Sequence, residues 1–199
     1  MAVLAAGCGS DDDDDAAGTS DSNGSTSVAT TAAPPETTAA PATTVAPTTV
    51  AESNTIEVLA TDYAFSGIPE TIAAGTELTL FNESTEEVHE VLAFKVAEGE
   101  ERSLAELVAL PPEEVEAVTE LRGVLVAYPG EAGFAPEGPV VLEEPGRYAF
   151  LCLIPTGADP VVYRETVDAN IEAGIPGPPD VEGGPPHVVE GMFAQAIVE

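Results

Sequence analysis

Basic residues are scarce: five lysines and arginines stand against 36 aspartates and glutamates, for a formal net charge of -31 over 199 residues. So acidic a surface repels a phosphate backbone, which excludes nucleic acid as a partner. It keeps the chain soluble, even in a salty medium, and leaves a basic docking partner possible. Cysteine is nearly missing too, with only Cys8 near the start and Cys152 late in the chain. If Cys8 is engaged elsewhere, Cys152 has no disulfide partner, and an unpaired thiol asks for a role. Histidine and methionine are as rare: from Gly9 onward there are only His89, His187 and Met192. A glycine-rich phosphate loop and a Gly-x-Ser-x-Gly elbow are both absent, so the signatures of common enzyme classes are missing. Paired glutamates such as Glu113-Glu114 and Glu143-Glu144 fall in charge-rich turns or helix starts, where a solvated surface accounts for them. The expectation is a protein that is not an enzyme.

At the front, Ala5, Ala6 and Gly7 precede Cys8. This run of small residues resembles the lipobox of a bacterial lipoprotein signal peptide, which implies lipidation at Cys8 and membrane attachment through that lipid. A full signal peptide also carries a basic leading region and an apolar stretch of about 7–15 residues. Only seven residues come before Cys8, so the true start codon is expected further upstream. Residues 9–53 contain the run Asp11 to Asp15 and then Thr, Ala, Pro and Ser with almost no large apolar side chain. Such a stretch buries too little surface to offset the entropy of ordering and reads as a disordered, proline-stiffened linker. The predicted location is the cell envelope, on the outer face of the cytoplasmic membrane or in the periplasm.

From residue 54 to 199 the pattern changes to short apolar runs broken by Gly, Pro and Asn, the signature of an antiparallel β-domain. Candidate strands are Thr55–Ala60, Glu77–Phe81, Val88–Val96, Gly123–Ala127, Val140–Leu142, Gly146–Cys152 and Ala194–Val198. They predict an all-β fold, a β-sandwich, with two short helical insertions at about 100–122 and 156–184. In the first, Ser103-Leu104-Ala105-Glu106 forms a capping box ahead of Leu107 and Val108. Pro111-Pro112 then breaks it, and a second helical turn is expected with Val115, Val118 and Leu121 on one side. The second insertion opens on Asp159-Pro160, an N-cap and N1 pair, and carries Tyr163, Val167 and Ile171 at a spacing of four before Gly174. These stripes read as faces laid against the sheet.

The rare residues sit in three ordered motifs. The C-terminal stretch reads Pro185-Pro186-His187-Val188-Val189-Glu190-Gly191-Met192 and then a closing strand. Upstream stands Gly146-Arg147-Tyr148-Ala149-Phe150-Leu151-Cys152, and earlier still Asn82 followed by Val88-His89-Glu90-Val91. In this order they resemble the cupredoxins, the blue copper proteins of the plastocyanin and pseudoazurin type, over most of residues 55–199. The resemblance implies a Greek-key sandwich holding one type 1 copper ion. His89, Cys152 and His187 would be its trigonal ligands, Met192 the weak axial one, and Asn82 a supporting residue beside the cysteine. Two imidazoles, a thiolate and a long thioether suit both oxidation states of copper, so the implied use is single-electron transfer between redox partners of the envelope, by a monomer. A copper carrier trading with a donor or acceptor, or a metal-free recognition module of the same fold, would use the same framework.

The chain departs from the family between Cys152 and His187, where Leu153 to Pro186 intervene instead of a few residues. Loop closure costs only slowly more with length, so the insertion is tolerable if its two stems meet. Leu153-Ile154-Pro155 is then expected to leave the strand end, Pro185-Pro186 to return to the same point, and residues 156–184 to form a helical flap outside.

Overall fold

The computed structural model describes residues 54–175 and 177–199; the expected lipobox with Cys8 and the 9–53 linker lie outside the described residues. Among the described residues, nine strands form two sheets. β1 (Thr55–Thr61), β2 (Ala64–Ser66), β4 (Thr76–Asn82) and β7 (Val140–Leu142) make the first, in the order β2-β1-β4-β7. The second, in the order β3-β9-β8-β5-β6, contains β3 (Thr71–Ile72), β5 (His89–Val96), β6 (Thr119–Ala127), β8 (Gly146–Leu151) and β9 (Phe193–Val198). This is the β-sandwich that the sequence predicts. Not every pairing is antiparallel, however. β1 runs parallel to β4, and β3 parallel to β9, because the chain crosses to the second sheet at β3 before returning at β4, and parallel neighbours require such a crossover.

The alternation within β4 shows why the first sheet has one core face: Thr76, Leu78, Leu80 and Asn82 are buried while the residues between them are half-exposed. Strand β8 reads differently, since Tyr148, Ala149, Phe150 and Leu151 are all buried. Tyr148 and Phe150 enter the inter-sheet core with Val58, Leu78, Val91 and Leu142. Ala149 and Leu151 face the other way, into a smaller cluster with Leu104, Leu107 and Val188. Helix α1 (Leu104–Val108) therefore covers the outer face of β8, which explains why Tyr148 to Leu151 are buried on both faces. Its capping box is formed, Ser103 N–H donating to Glu106 Oε2 at 2.8 Å and Glu106 N–H to Ser103 Oγ at 3.3 Å.

The second helical turn is shorter than expected. Helix α2 covers only Pro112–Glu116, and β6 begins at Thr119, with Leu121 opposite Phe94 and 46% exposed. The free edge of β5 offers backbone partners that a helical turn would have left unpaired, and a bulge at Ala93/Phe94 absorbs the change of register. Helix α3 (Pro160–Ala173) starts where predicted, Asp159 accepting from Val161 N–H at 2.8 Å and Val162 N–H at 3.2 Å, and ends on Gly174 at φ 62°. Tyr163 and Val167 are buried in the core, but Ile171 is 54% exposed, so the apolar stripe packs only over its first two positions. No helix among the described residues is long and apolar enough to cross a membrane.

Candidate metal centre

Three strand ends and a short 3-10 helix bring the rare residues to one place. His89 is the first residue of β5, paired with Ala127 of β6. Cys152 directly follows β8, and Met192 directly precedes β9. The β8–β9 ladder runs on past Leu151 and Phe193: Cys152 N–H donates to the Met192 carbonyl at 3.2 Å. His187 opens a 3-10 helix, His187–Glu190, that begins just after Pro186 and closes on Gly191 at φ 105°.

The excursion from Leu153 to Pro186 returns to the point it left. Pro155 and Pro186 form an antiparallel bridge, Thr156 N–H donates to Pro185 O at 3.0 Å, and Gly184 N–H to Thr156 O at 2.8 Å. His187 N–H then donates to Ile154 O at 3.0 Å and Val188 N–H to Cys152 O at 2.8 Å, so His187 is stitched to the cysteine segment. Met192 N–H donates to His187 O at 3.1 Å, which ties the fourth residue to the same turn.

His89, Cys152, His187 and Met192 are each 0% exposed. One ligand atom from each of His89, Cys152 and His187 lies within 4.8 Å of the others. The two Nδ1 atoms face each other at 3.2 Å, and Cys152 Sγ is 3.3 Å from His187 Nδ1. Among the described residues this is the one cluster of three or more His, Cys, Asp or Glu that could hold a metal ion.

Burial sets the electrostatics. It pushes the Cys152 thiol up to about 12, with nearby Glu90 adding to the rise. It lowers His89 to about 4, helped by repulsion from His187. His187 is lowered as well, by burial, against a pull upward from Glu87. Both imidazoles are therefore neutral near pH 7 and each keeps a lone pair for a metal, while the thiol must lose its proton to become a ligand. The Nε2 atoms of both rings are buried without a hydrogen bond. The donor set, two neutral imidazoles and one sheltered thiol beside a buried methionine, fits a soft metal ion. It does not fit nucleophilic catalysis, because a buried thiol with a raised pKa is an inert one.

Asn82 sits at the end of β4, and its amide donates to Glu87 O at 2.8 Å and Ala127 O at 3.0 Å, while its Oδ1 accepts from Ser84 N–H at 2.9 Å. These bonds fix the loop leading into His89; the contact to the Cys152 sulfur comes from Glu90 N–H at 3.5 Å. Three residues at the centre carry no recognisable sequence signal. Glu87 and Glu90 lie in an acidic stretch where nothing marks them out from their neighbours, and Tyr63 lies in the β1–β2 turn far away in the chain. Glu90 is nonetheless buried, its carboxyl accepting from Leu153 N–H at 3.1 Å and pushed up to about 7 by burial.

No protein-family model matches this chain, and no curated protein does either. Among solved structures it is similar to reduced auracyanin from the photosynthetic bacterium Roseiflexus castenholzii, at 19% identity and a TM-score of 0.39, over 74% of this chain and 98% of that one. It is also similar to auracyanin A, a blue copper protein of Chloroflexus aurantiacus, at 15% identity and a TM-score of 0.37, over 73% and 98% of the two chains. A chain of a heme-copper terminal oxidase dimer is similar at 17% identity and a TM-score of 0.33, over 74% of this chain and 66% of that one.

Proposed function

We propose that this chain is a cupredoxin-like type 1 copper protein that passes single electrons between redox partners of the cell envelope, held there by a lipid on Cys8. The observation that carries the reading is the convergence of His89, Cys152 and His187 in a fully buried cluster at the strand ends of a β-sandwich. Bound copper would supply the one-electron couple, and His89, Cys152, His187 and Met192 would hold it. Every other requirement falls on the chain itself.

Two hydrogen-bonded strands, β8 and β9, hold Cys152 and Met192, and β5 holds His89. Ligands anchored in one ladder move little when the charge at the centre changes, so reorganisation is small. The absence of exposure at all four residues keeps out water and competing ligands. That same burial opposes the carrier reading, since metal traded between proteins needs an accessible thiol. The reading as an electron-transfer protein rather than an enzyme is supported by the histidines: both are already committed to the one cluster, which leaves none for a second centre.

Titration of the purified protein with Cu(II) tests the proposal. The expected result is a strong visible absorption saturating at one copper per chain and lost in Cys152→Ser. A colourless titration of protein whose Cys152 is reduced, as shown by thiol assay after unfolding, refutes it.

A further inference from the structure

His187 is not an open edge of the centre. Its ring is met by the Tyr63 ring, edge-on at 5.1 Å and 70°, and by the Glu87 carboxylate, whose Oε2 is 3.4 Å from Nε2. That approach is an electrostatic contact too bent to count as a hydrogen bond.

Glu87 is held for this task from several sides. Its carbonyl accepts from the Asn82 amide at 2.8 Å, and its own N–H donates to Ser84 Oγ at 3.0 Å. The carboxylate accepts from Gly157 N–H at 3.2 and 3.1 Å and from the Tyr63 hydroxyl at 3.4 Å. Gly157 belongs to the excursion between Cys152 and His187, so one carboxylate touches the ring, the excursion and the β1–β2 turn. Tyr63 is the only non-glycine with positive φ among the described residues, at 60°. A bulky side chain in that region is strained, and such strain persists where the surroundings hold it in place. Here the ring lies on His187 and the hydroxyl on Glu87.

The two ring nitrogens face different partners: Nδ1 lies 3.3 Å from Cys152 Sγ and 3.2 Å from His89 Nδ1, while Nε2 faces the Glu87 carboxylate. A ring proton on Nε2 would sit against that carboxylate and leave the Nδ1 lone pair among the other candidate ligands.

We propose that Glu87 is a positioning residue for His187, taking the proton-bearing Nε2 so that Nδ1 is committed to the metal, and that through Gly157 it couples the excursion to the centre. This rests on His187 being a ligand. Carboxylate support of a ligating imidazole is worth about 10–100-fold in metal affinity.

The test uses full-length Glu87→Ala and Glu87→Gln. Imidazole nitrogen NMR of the metal-free protein should show His187 as the Nε2–H tautomer in the wild type and as a mixture in Glu87→Ala. Exchange of the Gly157 amide should quicken at least about tenfold, and Cu(I) affinity against a chelator should fall about 10–100-fold. Glu87→Gln, which keeps one acceptor oxygen, should recover most of the affinity and the tautomer. Unchanged tautomer, exchange and affinity in Glu87→Ala overturn the inference. A wild-type chain that takes up no Cu(I) overturns the copper reading instead, while the tautomer and exchange data still decide whether Glu87 holds His187.

Discussion

Copper loading should release one proton per ion, and Cys152 should be its source. With its thiol pushed up to about 12, the cysteine is almost entirely protonated at pH 8.5. The thiolate fraction there is below about one in a thousand. His89, lowered to about 4, is already neutral and releases nothing, and Glu90, near 7, is already ionised. One group is left to change state. The apparent association constant of Cu(I) should then rise about tenfold per pH unit between pH 8 and 9, equivalent to about 1.4 kcal/mol per unit. Relative to a preformed thiolate, the gap of roughly 3.5 units at pH 8.5 withholds about 5 kcal/mol of affinity. Anaerobic calorimetry in two buffers of different ionisation heat counts the protons, and chelator competition across the pH range gives the slope. Zero protons with a flat slope would mean that the thiol is ionised in the folded chain, and two would mean that an imidazole is protonated; either result refutes the reasoning. The serine of Cys152→Ser does not ionise, so that variant should show neither the proton nor the slope.

In the metal-free protein, burial raises Glu90 from its ordinary 4.5 to about 7. The protonated form is the one that folding favours, so this group's contribution is complete below about pH 4.5 and is lost as pH rises through 7, on the order of 3 kcal/mol. Glu90→Gln keeps an acceptor for Leu153 N–H and should flatten urea-denaturation stability between pH 5 and 8; an unchanged pH dependence would refute this. Leu107→Ala, at a position 1% exposed, should cost about 2–5 kcal/mol in chemical denaturation yet leave the copper spectrum unaltered. Asn82→Ala strands Glu87 O, Ala127 O and Ser84 N–H, and should cost roughly 2–4 kcal/mol and speed copper loss to a chelator.

Much of the framework was legible because it is written over a few residues at a time. The Ser103–Glu106 box, the Asp159-Pro160 start and the Gly174 stop of α3 depend on hydrogen bonds and backbone angles within one helical turn. Strand β4 buries alternate residues, and in β8 the apolar run Tyr148 to Leu151 is buried on both faces. Local pattern misled where long-range pairing competed with it. The helical spacing of Val115, Val118 and Leu121 gave way after Glu116 because the edge of β5 offered a ladder to residues from Thr119 onward. Ile171 kept its place on the helix but stayed exposed.

The sequence by itself determined which side chains were available for a soft metal site, because from Gly9 onward only His89, Cys152, His187 and Met192 have the required chemistry. Only the tertiary structure decided that they meet. The Pro155–Pro186 bridge and the bonds from His187 N–H to Ile154 O and from Val188 N–H to Cys152 O close the long excursion. The same is true of Glu87, which no pattern distinguishes from its acidic neighbours until the fold sets its carboxylate beside His187, Gly157 and Tyr63. Composition fixes what chemistry a chain can perform, while contacts between residues distant in sequence exist only once the loop-closure entropy between them has been overcome.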